Sequence, residues 1–257
     1  MTQVLGVTVA GLSHPGRKRQ SNQDFFLINR SLNLFAVSDG VEGGPYGEVA
    51  SRMAGEKLEA LLKDFDLSAD ATPPSADRPG MPFPVRALKY AFREVNRQLF
   101  VYTQENPKFK GMGTTLTALW FFEGRAYVGH VGDSRGYLIR DKVAKQLTMD
   151  HTSISESPMK QMQDIKLYEE ISHTSEHELT RAMGINPDVQ VQLAGGAPRP
   201  GDHFLLCTDG LYGQVQDWEI AKAASAEPPQ LACRKLIQLA NSRGGSDNIA
   251  VVIIQVE

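Results

Sequence analysis

The sequence has few cysteines, no long apolar run and no excess of positive charge, and each shortage excludes a class of protein. Two cysteines far apart among 257 residues provide neither a disulfide framework nor a CxxC metal site. No stretch approaches the roughly 18 consecutive apolar residues of a membrane span. A net charge of −3 gives no electrostatic basis for nucleic-acid binding. We therefore expect a soluble, cytoplasmic protein that binds neither membranes nor nucleic acids.

The distribution of apolar residues predicts a single α+β domain over residues 1–257. The length and a hydrophobic content of 41% allow one large core. Short β-rich runs occur in both halves of the chain, and apolar residues recur at helical spacing over 46–65 and 85–102. This pattern favours a four-layer α-β-β-α sandwich, with two mainly antiparallel sheets flanked by helix pairs.

Two polar segments interrupt the pattern. A proline-rich surface loop is predicted at residues 67–84. A flap is predicted at residues 150–178, with some helix over 159–168. After the flap we expect a short helix over 179–184, closed by a glycine, and a strand over 189–193.

Aspartates stand at the ends or beginnings of several predicted strands. Five share this position: Asp24, Asp39, Asp133, Asp209 and Asp247. Each alone fits an ordinary turn, but five at strand ends can converge on one edge of a sheet pair. Because every donor is an oxygen, such a cluster would select Mg²⁺ or Mn²⁺ over zinc.

A pair of such metals would suit phosphate chemistry. Two ions about 3.5–4 Å apart can clamp a phosphoryl oxygen and activate a bridging water for in-line attack. Arg17 and Arg19 lie in the basic segment before Asp24 and are candidates for binding the phosphate. A guanidinium group matches two phosphate oxygens at once. A basic segment of this kind is also common on a solvated surface.

Seven motifs resemble, in order and at similar spacing, those of the PP2C-type (PPM) protein phosphatases, with the closest likeness to compact bacterial members. The match runs from about residue 6 to residue 255. The motifs are Gly16-x-x-Arg19-x-x-Asn22-Gln23-Asp24, Asp39-Gly40 with Gly47-Glu48-x-Ala50-Ser51, Gly113-Thr114-Thr115, Gly132-Asp133-Ser134-Arg135, Asp150-His151-Thr152, Thr208-Asp209-Gly210 and Ser246-Asp247-Asn248. Each fragment is weak alone, but seven in register are specific.

The resemblance implies which residues hold the metals. Asp39 would bridge two Mn²⁺ or Mg²⁺ ions, and Gly40 would contribute its carbonyl oxygen. Asp209 and Asp247 would complete the ligand shell of the first ion. Asp133 would hold a looser third ion.

The resemblance also assigns the residues around the metals. Arg19 would bind the substrate phosphate, and Asp24 would orient metal-bound water. Gln23 and Asn248 would lie next to the metal ligands and hold them in place without binding a metal themselves. The segment 113–115 would be structural, as a close-packed strand start near the site.

Some positions depart from the family pattern. Gln23 stands where the family often has an acidic residue, which should weaken binding of the second metal. In the glycine loop, Glu42 replaces a glycine, and Val41 lies where animal relatives carry a histidine proposed as general acid. Metal-bound water would then protonate the leaving group. His151, at the root of the flap, is a second candidate, although it also fits a structural or solvent-exposed histidine.

The resemblance predicts a metal-dependent phosphatase that hydrolyses phosphoserine and phosphothreonine by in-line attack of a metal-bridging water. Its partners would be phosphorylated proteins, among them a bacterial Ser/Thr kinase or a forkhead-type target of that kinase, and the protein would be a monomer. Two alternatives stay open at this point. One is a pseudophosphatase that binds phosphoproteins without cleaving them. The other is a hydrolase of small phosphate esters, whose flap would close over a small pocket.

Overall fold

The computed structural model of the protein describes residues 6–41, 46–65, 81–151, 165–169 and 181–257. The strands and helices are, in chain order, β1 (Val7–His14), β2 (Asp24–Asn29), β3 (Leu34–Asp39), α1 (Gly47–Asp64), α2 (Phe83–Glu105), a 3-10 turn (Pro107–Phe109), β4 (Leu116–Phe122), β5 (Arg125–Val131), β6 (Arg135–Arg140), β7 (Val143–Gln146), β8 (Ile165–Glu169), β9 (Gln192–Gly196), β10 (His203–Cys207), α3 (Asp209–Tyr212), α4 (Asp217–Ala226), α5 (Pro229–Ser242) and β11 (Ile249–Val256). No helix within the described ranges is both long enough and apolar enough to cross a bilayer.

The strands form two antiparallel sheets. The five-stranded sheet has the order β1-β11-β10-β6-β7, and the six-stranded sheet has the order β2-β3-β4-β5-β9-β8. The first and last strands pair along their whole length, from Val7 opposite Val256 to His14 opposite Ile249. Residues far apart in the sequence are thereby brought to the same end of the sandwich.

Three apolar clusters separate the layers. Helices α1 and α2 cover the outer face of the six-stranded sheet, with Leu88 and Trp120 in that cluster. Helices α4 and α5 cover the five-stranded sheet, where Leu236 is buried. The inner faces meet through residues such as Phe121 and Phe204, whose rings lie edge to face at 5.4 Å. The predicted four-layer α-β-β-α sandwich is therefore confirmed.

Helix α2 illustrates why the apolar pattern was informative. Its residues Val85, Leu88, Phe92, Val95 and Leu99 recur at helical spacing and are all buried. The helix begins at position 83 with a proline in its first turn, where no N–H donor is needed. The last two residues of the predicted loop at 67–84 therefore belong to α2.

Three local predictions after the described residue 151 were wrong. Residues 165–169 form a strand that pairs with β9, not the end of a helix. Residues 181–184 are not helical, because the N–H of Met183 donates to the Thr114 carbonyl at 2.8 Å and the Thr114 N–H donates back at 3.2 Å. The predicted strand at 189–193 lies instead at 192–196. Residues 152–164 and 170–180, and with them most of the predicted flap, lie outside the described residues.

Candidate metal centre and active site

Two threonines fix the backbone of Asp39 at the end of β3. The Asp39 N–H donates to Thr115 Oγ1 over 2.9 Å. The Asp39 carbonyl oxygen accepts from the Thr114 hydroxyl at 2.7 Å and from the Thr115 N–H at 2.8 Å. Both threonines are buried, so water does not compete for these bonds. The segment 113–115 therefore sets the orientation of the Asp39 backbone.

Gly40 and Gly47 allow the beginning of α1 to approach the end of β3. A Cβ atom on Gly40 would lie 2.4 Å from the backbone carbonyl carbon of Gly47, which no side chain could accommodate. A Cβ atom on Gly47 would lie 2.9 Å from the side chain of Gln23. The Gly40 N–H also donates to the Gln23 carbonyl at 3.2 Å. Glycine is thus required at position 40, where any Cβ atom would clash with the backbone of Gly47, whereas at position 47 a Cβ atom would displace the Gln23 side chain.

Thr208 connects the ligand candidate Asp209 to Asp24. The Thr208 hydroxyl donates to Asp24 Oδ2 at 2.7 Å, and Thr208 Oγ1 accepts the Ala250 N–H at 2.8 Å. Asp209 follows Thr208 as the first residue of α3. Sequence reasoning assigned no role to Thr208. The available signal was its position in the motif Thr208-Asp209-Gly210.

Asn248 anchors the loop that carries Arg19. The Asn248 Nδ2 donates to the carbonyl oxygens of Pro15 at 2.9 Å and Ser21 at 2.8 Å. The Asn248 Oδ1 accepts the Gln23 N–H at 2.8 Å. One buried amide therefore holds three points of the loop that joins β1 to β2.

Arg19 lies beside a predicted metal ligand. The Nη2 atom of Arg19 donates to Asp247 Oδ2 at 2.8 Å, and both side chains are about one-third exposed, at 34% and 29%. Arg17, the other candidate, is exposed, and its backbone N–H donates to the Gly245 carbonyl. The structure therefore places Arg19, and not Arg17, next to the carboxylates.

Asp133 occupies the turn between β5 and β6. The Tyr212 hydroxyl donates to the Asp133 carbonyl at 3.0 Å, which connects this turn to α3. Arg135 packs its guanidinium carbon 3.7 Å from the centre of the Tyr212 ring and forms a 2.6 Å ion pair with Asp150. The hydroxyls of Ser134 and Thr115 are 2.7 Å apart. These contacts connect the turn to both sheets.

One cavity of about 210 Å³ collects the predicted site residues. It is lined by Arg19, Gln23, Asp39, Gly40, Val41, Thr115, Asp133, Asp209, Asp247 and Asn248. All the predicted metal ligands and the predicted phosphate-binding arginine are included. Asp24 does not line the cavity. It is buried and accepts the hydrogen bond from the Thr208 hydroxyl.

The carboxyl groups of the cavity repel one another. Burial, with added repulsion from Asp209 and Asp247, raises the pKa of Asp24 to about 7. Burial and the charges of Asp24, Asp209 and Asp133 raise the pKa of Asp39 well above its usual range. Burial and the charge of Asp209 raise the pKa of Asp133 to about 6. The site holds more negative charge than its surroundings stabilise, as expected for carboxylates that bind a cation.

The donor set fits a hard divalent cation. It consists of carboxylate and carbonyl oxygens, which Mg²⁺ and Mn²⁺ prefer. Oδ1 of Asp24 is buried and has no hydrogen-bond partner among the described residues. However, no three Asp, Glu, His or Cys side chains in the described part of the chain form a group ready to chelate a metal. Oδ2 of Asp247 accepts the hydrogen bond from Arg19, and its Oδ1 accepts the Asn248 N–H at 2.8 Å.

His151 does not line the cavity. Its Nδ1 accepts the Gly132 N–H at 2.9 Å, its ring lies 4.6 Å from that of His130, and it is only 3% exposed. The solvent-exposed alternative is therefore wrong. Val41 lines the cavity but has no proton to transfer, and Glu42 lies outside the described residues.

Comparison with known proteins places these features in a family. The profile of the family described as Protein phosphatase 2C matches residues 10–239. The serine/threonine protein phosphatase PstP of Mycobacterium tuberculosis is 34% identical over 247 residues, which are 96% of this chain and 44% of PstP. The chain thus spans less than half the length of that relative. The serine/threonine phosphatase stp of Listeria monocytogenes is 31% identical over 248 residues, which are 93% of this chain and 92% of that protein.

A solved structure shares the whole architecture. The crystal structure of the catalytic domain of PstP in complex with two manganese ions has a TM-score of 0.77 and 31% identity. The alignment covers 98% of this chain and 99% of that domain. The relationship supports dependence on Mn²⁺ or Mg²⁺ and agrees with the oxygen donors of the cavity. With a family profile that matches most of its length and relatives above 30% identity, the chain belongs to the protein phosphatase 2C family of metal-dependent Ser/Thr protein phosphatases.

Proposed function

We propose that this protein removes phosphate from phosphoserine and phosphothreonine in proteins, as a single catalytic domain over residues 1–257. The observation that carries the proposal is the cavity that Arg19 lines together with the carboxylates of Asp39, Asp133, Asp209 and Asp247. The bacterial relatives named as Ser/Thr protein phosphatases support the same activity. So does the alignment with almost the complete catalytic domain of PstP.

The metal ligands in this proposal are the oxygen donors of the cavity. Asp39, Asp209 and Asp247 would hold the cations, together with the carbonyl oxygen of Gly40, and Asp133 would hold a weaker one; all of them line the cavity. When bound, the cations supply positive charge to the phosphoryl oxygens and lower the pKa of water enough for attack on phosphorus. The fit is supported by the raised pKa values of Asp39 and Asp133, since a nearby cation stabilises the ionised carboxylates.

Arg19 positions the substrate in this scheme. Its guanidinium, which now pairs with Asp247 at 2.8 Å, would bind two phosphate oxygens of the substrate. Asn248 keeps the Arg19 loop in place, and Thr208 keeps the Asp24 carboxylate facing the cavity wall. The proton for the leaving serine or threonine oxygen comes from water. Val41 has no proton to give, and the His151 ring is buried, with its Nδ1 accepting the Gly132 N–H.

The proposed substrates are phosphorylated proteins of a bacterial Ser/Thr kinase pathway, including the kinase itself or a forkhead-type target. The names of PstP and stp as Ser/Thr phosphatases support phosphorylated proteins as the substrate class. A monomeric state and a cytoplasmic location stay predictions.

Metal-dependent turnover tests the proposed activity. With Mn²⁺, the purified protein should hydrolyse p-nitrophenyl phosphate and phosphothreonine peptides, and EDTA should abolish both reactions. Asp209→Asn should lower turnover roughly 100-fold or more, because it removes a charged ligand. Asp217→Asn changes an exposed aspartate at the beginning of α4 and serves as the matched control with unchanged turnover.

Other outcomes separate the alternatives. A pseudophosphatase would bind a phosphopeptide without turnover and without Mn²⁺ binding in calorimetry. A hydrolase of small esters would prefer phosphorylated metabolites to every phosphopeptide. Either result would overturn the proposed function.

A further inference from the structure

Exposed apolar side chains are few in the described part of the chain, and two of them lie beside the catalytic cavity. The exposed large apolar residues are Tyr46 at 39%, Val143 at 52%, Ile185 at 41%, Trp218 at 65% and Leu231 at 44%. Tyr46 and Ile185 are far apart in sequence, yet both pack on residues 109–113. Exposed apolar groups that gather at a functional site often contact a partner.

The contacts of Tyr46 and Ile185 are direct. The Tyr46 ring lies 4.6 Å from the Phe109 ring, centre to centre, in an edge-to-face arrangement. The Ile185 Cδ1 atom lies 2.6 Å from the position that a Cβ atom on Gly113 would occupy, so Ile185 rests on the bare backbone of Gly113. A short turn connects the two positions, since the Met112 N–H donates to the Phe109 carbonyl at 2.9 Å.

This surface continues into the cavity. The Gly113 carbonyl accepts the Val41 N–H at 3.0 Å, and Val41 lines the cavity next to Gly40. We use the term apolar rim for the surface formed by Val41, Tyr46, Phe109 and Ile185. Polar residues border it: Lys108 and Lys110 are exposed, and Lys108 Nζ lies 4.6 Å from the centre of the Phe109 ring.

Backbone pairing sets the distance between the rim and the metal ligands. Gly40 forms a bridge with Thr114, and Thr114 forms a second bridge with Met183, two residues before Ile185. Adjacent strands are about 4.8 Å apart, so Met183 lies roughly 10 Å from Gly40. An extended peptide advances about 3.3 Å per residue, so about three residues cover that distance.

We infer that the apolar rim binds an apolar side chain of the substrate, about three residues away from the phosphorylated serine or threonine. The inference rests on the proposed phosphatase function and adds a substrate preference to it. The rim is preformed, because Tyr46 is supported by Phe109 and Ile185 by Gly113. Binding there removes apolar surface of both partners from water, and the shared edge at Val41 aligns the peptide with the cavity.

A ratio of rates tests the inference. Two sets of phosphothreonine peptides, one with leucine and one with serine about three residues from the phosphothreonine, are compared by kcat/KM with Mn²⁺. Wild type should favour the leucine peptide about tenfold at one of these positions, the effect of one apolar group in a shallow site. The variants are Ile185→Ala and Tyr46→Asn. Asparagine tolerates the left-handed backbone at position 46, where φ is 63°.

The ratio separates binding from folding, because a partly unfolded sample lowers both rates equally. Ile185→Ala and Tyr46→Asn should each bring the ratio towards one, whereas Leu231→Ala, an equally exposed leucine on α5, should leave it unchanged. A wild-type ratio near one, or a ratio that neither rim variant changes, overturns the inference. Hydrolysis of p-nitrophenyl phosphate by wild type shows whether the phosphatase function itself holds, so the two failures are distinguishable.

Discussion

Asn248→Asp should loosen the loop that carries Arg19 while leaving the size of the side chain unchanged. The substitution keeps an oxygen that can accept the Gln23 N–H. It removes the two N–H groups that Asn248 donates to the carbonyl oxygens of Pro15 and Ser21. In their place it puts a carboxylate oxygen against two carbonyl oxygens in a buried position.

The magnitude follows from these contacts. Each lost hydrogen bond contributes about 1 kcal/mol net, and the oxygen–oxygen repulsion adds to the loss, so the free energy of unfolding should fall by about 2–3 kcal/mol. For a chain of this length the melting temperature should drop by roughly 4–12 °C. Because Arg19 loses its fixed position, kcat/KM for p-nitrophenyl phosphate should also fall, roughly 10- to 100-fold.

Thermal melts and steady-state kinetics check this prediction against a control. Asn106 donates one side-chain hydrogen bond, 2.9 Å long, to the Tyr102 carbonyl at the end of α2. Asn106→Asp should therefore lower stability by about 1 kcal/mol and leave kcat/KM unchanged. If Asn248→Asp melts within a degree or two of wild type, Asn248 does not anchor the loop and the reasoning is refuted.

Two further substitutions probe phosphate binding and a buried histidine of β5. Arg19→Lys should raise KM for p-nitrophenyl phosphate about tenfold, since an ammonium group cannot form the two parallel bonds of a guanidinium; an unchanged KM would contradict phosphate binding by Arg19. Burial lowers the pKa of His130 to about 4, whereas an unfolded histidine has a pKa of about 6.5. Between these two pH values the unfolded chain binds one more proton than the folded protein. The folded protein therefore loses stability as the pH falls from about 6.5 to about 4. Between pH 7 and pH 5, wild type should lose about 2 kcal/mol more stability than His130→Gln, measured by denaturant unfolding; equal losses would show that His130 is not held neutral.

The positions of the carboxylates could be predicted because each one interrupts an apolar run. Asp39 and Asp209 follow buried strands, and Asp247 precedes the apolar strand β11. Strand ends in a two-sheet sandwich collect at its edges, so these aspartates could be assigned to one cavity. The order of the motifs added the family and, through it, the choice of Arg19 over Arg17 for phosphate binding.

The contacts that hold the carboxylates could not be predicted locally. The bond from Thr208 to Asp24 joins residues 184 positions apart, and no local pattern reports such a pairing. Strand β8 exists because it pairs with β9, a partner that is distant in sequence. Helix α4 is hard to predict from the sequence, because its buried face includes the small side chains of Ala221 and Ala224. These make the helical periodicity of large apolar residues weak.

The pairing of β1 with β11 makes the site depend on two segments that are synthesised far apart in time. Asp247 and the anchor Asn248 immediately precede β11, while Arg19 follows β1. At about 5–20 residues per second, a ribosome needs roughly 10–45 s to advance from Arg19 to Asp247. During that interval β1 has no β11 to pair with, and the Arg19 loop has no Asn248 to anchor it. In a nascent chain, the loop that carries Arg19 therefore stays without its Asn248 anchor until the segment that completes the five-stranded sheet is made.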